Sequence, residues 1–154
     1  MSETVMGLPA GYRTTFAKIM RILAMVAGTL IIIQFALAGF GAFGTFNKQK
    51  NWEPHEMLGY TIGGFTLLVL IAALIARPTR QAVIASIVMF VLAAAVQPIL
   101  AEAGKDHGAW WGALHVLSGL AIFATTGVVS RKIDARPPDG PPTPASPAAP
   151  AAAA

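Results

Sequence analysis

Four apolar blocks of about 20 residues each, divided by short polar stretches, set the pattern of this chain. About 20 apolar residues is the length an α-helix needs to cross the hydrocarbon core of a bilayer. No water is available there, so the backbone groups of each block must pair within their own segment, which predicts a helix for every block. The expected helices cover about 22–43, 55–76, 81–100 and 110–130. The fold class is all-α: a four-helix transmembrane bundle made of two helical hairpins. Residues 1–15 read as a cytoplasmic tail and 16–133 as the transmembrane domain. The Pro- and Ala-rich stretch 134–154 cannot bury a core and reads as a disordered cytoplasmic tail. The first block is too long for the core of a cleaved signal peptide and is expected to stay as a helix.

The punctuation between blocks agrees with this. Pro54 falls in the first turn of the second helix, where a missing N–H costs nothing. Arg77-Pro78-Thr79-Arg80 reads as a tight turn. Gly59 and Gly63 form a small-xxx-small pair that permits close helix approach.

The two halves resemble each other. Each first helix carries a glutamine, Gln34 or Gln97, and each second helix runs tryptophan, histidine, then glycine four residues after the histidine. Those residues are Trp52, His55 and Gly59, and then Trp111, His115 and Gly119. Two crossings separate the halves, so a duplication would be parallel and would put both histidines on the same side of the membrane.

Composition sharpens the class. The chain is 55% hydrophobic and 12% charged, about half the usual charged share of a soluble domain. The formal charge of +4 is spread over helix ends and does not form one patch, which argues against nucleic acid as a partner. Arg13, Lys18, Arg21, Arg77, Arg80, Arg131, Lys132 and Arg136 lie on one side, against Lys48, Lys50 and Lys105 on the other. By the positive-inside rule both termini are expected in the cytoplasm, in a multi-pass protein of the inner (plasma) membrane. Trp52, Trp110 and Trp111 would then stand at the outer interface. With no cysteine, disulfides, iron–sulfur clusters and covalent haem attachment are excluded.

Ionisable groups inside a membrane are costly and point to function. Two imidazoles on separate helices at one depth would supply both axial ligands of a b-type haem, so His55 and His115 are the candidate ligands of a haem iron. Gly59 and Gly119 would leave room for the flat ring, and Gln34 and Gln97 would hold the second imidazole nitrogens or a propionate. Depth gives two answers. Counted from the tryptophans the histidines match; counted from the arginines they do not, because His55 stands 22 residues before Arg77 and His115 16 before Arg131. At 1.5 Å per residue the mismatch is about 9 Å. A second candidate is a zinc or copper site from His55, Glu56, Glu102, Asp106, His107 and His115, with no tight ligand spacing behind it. No nucleophile stands beside a base and no phosphate-binding loop is present, so an enzyme is not indicated. The other reading is a non-catalytic accessory subunit that packs against a larger respiratory or redox membrane complex through Gly39, Gly59 and Gly63.

Gln-Phe-Ala-Leu-Ala-Gly at 34–39, His55-x-x-x-Gly59, Gln97 and Leu114-His115 resemble an uncharacterised group of small four-helix bacterial membrane proteins, over about residues 15 to 133. That resemblance implies a fold and a membrane location but no activity. More distantly, the paired histidines are similar to those of four-helix b-type cytochromes and of haem A synthase halves. This implies one haem b and a part in membrane electron transfer. The first and third helices hold no histidine, so a second haem has no ligands.

Overall fold

A computed structural model describes residues 10–44 and 48–132; of the tails expected at 1–15 and 134–154, residues 1–9 and the whole second tail lie outside the described residues, as do 45–47 and 133, while residues 10–15 already belong to the first helix. The helices are α1 (Ala10–Phe43), α2 (Lys48–Ala76), α3 (Arg80–Val91), α4 (Gln97–His107) and α5 (Ala109–Lys132), with a π-helical turn at Leu92–Val96 joining α3 to α4. They make four spans long and apolar enough to cross a membrane, Gly11–Phe43, Lys50–Ala76, Arg80–His107 and Ala109–Arg131. Among the described residues there is no strand. The molecule is a four-helix transmembrane bundle, and the helices begin well before the apolar blocks, at Ala10 and Lys48 in the first hairpin.

The π-turn sits immediately before Gln97-Pro98. Pro98 has no N–H to donate and its ring would press on the carbonyl four residues back. Widening the helix by one residue relieves that contact, and the Gln97 N–H reaches back to Leu92 O. Sharp turns close the chain at both ends of the bundle. Arg77 takes a left-handed backbone (φ 45°). Thr79 then caps α3, its hydroxyl accepting from the Ala82 N–H at 3.2 Å. Gly108 (φ 97°) separates α4 from α5. Gly104 and Gly112 let these two helices touch backbone to backbone, because a Cβ on Gly104 would stand 3.3 Å from Gly112 N.

α1 packs along α2 and the third span along α5; α1 also meets α5 and α2 meets α3, so α2 and α5 stand diagonally. The core is lopsided. Met20, Ala24, Val69, Ala73, Ala82, Met89 and Val129 are fully buried and all lie toward the end of the bundle that carries Arg77. On α2 and α5 the buried apolar side chains stop at Ile62 and Ile122, about two turns short of the histidines. α4 contributes none. Small alanines fill the tight end and let the helices come close. Buried hydroxyls there are satisfied within their own helix: Ser86 donates to Ala82 O and Thr66 to Gly63 O, both at 2.8 Å. Arg13 Nε donates to Ala76 O at 3.4 Å, tying the start of α1 to the last turn of α2.

Candidate functional site

Each histidine is held by the glutamine of its own hairpin, through both ends of that residue. Gln34 Nε2 donates to the backbone carbonyl of His55 at 2.8 Å, and His55 Nδ1 lies 3.1 Å from the backbone carbonyl of Gln34. The second half repeats this: Gln97 Nε2 donates to His115 O at 3.0 Å, and His115 Nδ1 lies 3.1 Å from Gln97 O. A carbonyl oxygen only accepts, so each Nδ1 must carry the proton. The lone-pair nitrogen of each ring is then Nε2, directed away from its glutamine.

The two rings meet across the bundle. Their centroids are 6.1 Å apart and their planes are inclined at 55°. The count from the tryptophans is therefore the one the structure follows, and the mismatch counted from the arginines does not keep the rings apart.

The glycines have a nearer neighbour than a cofactor. A Cβ on Gly59 or on Gly119 would stand 3.2 Å from the Nε2 of Gln34 or Gln97 respectively. In a helix the carbonyl of residue i lies over residue i+4. An amide that donates to a histidine carbonyl must therefore rest on the residue four positions later, and a side chain there would crowd it. This explains the His-x-x-x-Gly spacing, and the space expected to receive a flat ring faces an amide instead. The glutamines likewise differ from expectation in detail: their backbone carbonyls, and not their side chains, hold the imidazole nitrogens.

Two contacts were not foreseen from the sequence. Trp52, expected as the first residue of the repeated motif and as an interfacial anchor, is half-buried and stands edge-on to His55, ring centroids 5.4 Å apart at 85°. Its indole rests on Gly41, where a Cβ would come within 2.6 Å of Trp52 Cδ2. Trp110, by contrast, is 81% exposed, as an anchor would be. Ser118 completes the second site: it accepts from Gln97 Nε2 at 2.9 Å and donates to His115 O at 2.9 Å. Leu58 holds the matching place in the first half, and there Gln34 Oε1 is buried without a hydrogen-bond partner among the described residues. The signal for Ser118 was available, since it lies one turn after His115 on the same helix face.

The second metal candidate does not assemble. Among the described residues, no three His, Asp or Glu side chains come together as a metal site. Glu56 pairs with Lys105 at 3.6 Å, and Lys105 with Glu102 at 3.2 Å, all three exposed. This ion pair links the two hairpins beside the histidines. Of the glycines expected to pack on a larger complex, Gly59 faces Gln34, whereas Gly39 and Gly63 have nothing within 4 Å.

The molecule thus belongs to the class of small four-helix transmembrane bundles, with a duplicated glutamine–histidine pair at one end. Residues 34–105 match the model of a family of unknown function, DUF6220. The matched stretch holds Gln34, His55, Gly59 and Gln97 and ends before His115 and Gly119. No curated protein and no solved structure matches the chain, and nothing in these comparisons supports a likeness to b-type cytochromes or haem A synthase.

Proposed function

We propose that this chain binds one b-type haem between α2 and α5, with His55 and His115 as its two axial ligands, and takes part in membrane electron transfer. The observation that carries the reading is the placement of the rings. Imidazoles on opposite faces of one metal, each nitrogen about 2.0–2.1 Å from it and about 1.1 Å from its ring centre, put the centroids roughly 6.3 Å apart. The separation here is 6.1 Å.

The donor chemistry agrees. Both rings have Nδ1 committed to a backbone carbonyl, so in the neutral ring the lone pair lies on Nε2, the nitrogen an iron would take. On α2 and α5 themselves the buried apolar side chains end at Ile62 and Ile122, about two turns before the rings. Without cysteine the haem would be held non-covalently. His55 and His115 would hold the haem iron between them, and the chemistry the group would supply there is single-electron exchange. On this reading the chain's own part is to fix the two ring nitrogens and to exclude water from them.

The charge asymmetry supports a reading in which both termini lie in the cytoplasm, the membrane is the inner (plasma) membrane and the histidines stand near its outer face. With one haem site near one face, electrons would pass between partners on that side. Those partners would belong to a redox membrane complex or be small carriers in the lipid. The open Gly39 and Gly63 favour a second reading, an accessory subunit docked on another membrane helix.

Absorbance of the protein purified in detergent from haem-replete cells tests the first reading. The expected result is a red preparation with a Soret band that sharpens on reduction and is lost in His55→Ala and in His115→Ala. A colourless protein that takes up no added haemin would overturn it.

A further inference from the structure

We infer that Gln34 and Gln97 are positioning residues for the two imidazoles, and that Gly59 and Gly119 serve them by leaving room for their amides. The inference rests on the haem reading for the purpose of the pinned rings, but not for the pinning itself.

The argument starts from geometry. Each glutamine touches its histidine at two points, an amide N–H on the histidine carbonyl and a backbone carbonyl on the histidine ring. One contact between two helices leaves them free to roll and slide; two contacts in opposite directions fix register and rotation together. The ring contact is the part that matters for a ligand, because it decides which nitrogen carries the proton. The amide contact is what keeps the carbonyl and the ring at 3.1 Å. In a low-dielectric surrounding both bonds are stronger than in water, and an unpaired partner is costly.

The glycines enter through the amides alone, or nearly so. For Gly59, apart from its own helix backbone, the neighbour within 4 Å of an added Cβ among the described residues is Gln34 Nε2, at 3.2 Å. For Gly119 it is Gln97 Nε2 at 3.2 Å, followed by the Phe35 ring at 3.5 Å. An added methyl at either place therefore acts on the amide first, and only through it on the histidine. The same device stands twice in one chain, on two hairpins, each time beside a ring that faces the other ring. Helix packing alone would ask for close approach at these glycines; it would not ask for a donor aimed at the carbonyl of the histidine in both copies.

The two copies differ in strength. Gln97 also donates to Ser118, whereas Gln34 has Leu58 at the matching place and a buried Oε1 without a partner among the described residues. The first latch is the weaker one, and His55 is the ring that responds more readily to its loss.

The test is a nitrogen-15 spectrum of histidine-labelled protein in lipid bilayers, recorded without haem, with His55 assigned by its loss in His55→Ala. The wild type is expected to show His55 and His115 wholly protonated at Nδ1. In Gln34→Ala and in Gly59→Ala the His55 signal should become a mixture of the two tautomers while His115 stays as it was. On the Gln34→Ala background, Gly59→Ala should add no further change, because its one neighbour is gone. Gly59→Ala alone decides the matter if Gln34→Ala does not fold. A His55 ring that stays fully Nδ1-protonated in both single variants, or a Gly59→Ala effect of the same size with and without the amide, would overturn the inference. Because no haem is present, this failure is separate from the absence of a Soret band. In haem-loaded protein, Gln34→Ala should keep the Soret band and shift the midpoint potential.

Discussion

The indole of Trp52 stands edge-on to the imidazole of His55, with 5.4 Å between ring centroids, and among the described residues no tryptophan stands beside His115 in the same way. Three residues before His115 the chain has Gly112, which is used to bring α5 against Gly104 of α4. The first half of the repeated site thus has a tryptophan beside its histidine where the second half has a glycine. Trp52→Ala should remove this ring contact and cost about 2–3 kcal/mol, less than a fully buried tryptophan because Trp52 is half-buried. Thermal unfolding in detergent would measure the cost. On the haem reading, the Soret band should persist in this variant with a shifted maximum.

The seat of that tryptophan is equally sensitive. A Cβ on Gly41 would come within 2.6 Å of Trp52 Cδ2, well inside contact distance. Gly41→Ala should therefore destabilise by about 1–3 kcal/mol and shift the tryptophan emission. Gly63→Ala, where a methyl meets nothing within 4 Å, should be neutral or slightly stabilising through helix propensity. Equal effects at the two positions would contradict this packing.

The turn between α4 and α5 depends on Gly108, whose φ of 97° is rarely reached by residues with a Cβ. Gly108→Ala should cost about 1–2 kcal/mol, although no atom lies within 4 Å of the added methyl. Limited proteolysis at this turn, faster in the variant than in the wild type, would report the loosening.

At the opposite end Thr79 caps α3 through the Ala82 N–H. Thr79→Ala should cost about 1 kcal/mol, and Thr79→Ser little, since the hydroxyl is retained. Chemical denaturation in mixed micelles would separate the two.

Lys105 joins Glu56 of the first hairpin to the second, but all three charges of the group are exposed. Lys105→Ala should lower stability by less than about 1 kcal/mol, and the difference from the wild type should shrink as salt is raised. A loss that persists at high salt would mean that Lys105 does more than pair charges.

The hydrophobic pattern was sufficient for the four spans, because each must satisfy its own backbone in lipid and so shows its length locally. The histidine, glutamine and glycine of each half were visible for the same reason: polar residues and repeated spacings stand out in an apolar chain. Other features depended on contacts between residues far apart in sequence. His55 and His115 are brought to 6.1 Å only by the diagonal placement of α2 and α5. The carbonyl, not the amide, of each glutamine meets the ring because helix rotation, which no local pattern encodes, turns that oxygen toward the neighbour. Trp52 was legible as an aromatic at a helix start but not in its contact with Gly41, since Gly41 lies on another helix. Sequence alone thus determined which segments enter the membrane and which residue types break the apolar pattern. Tertiary structure alone decided which atoms of those residues meet, because hydrogen bonds and ring contacts are made over a few ångströms between helices whose rotation and register only packing sets.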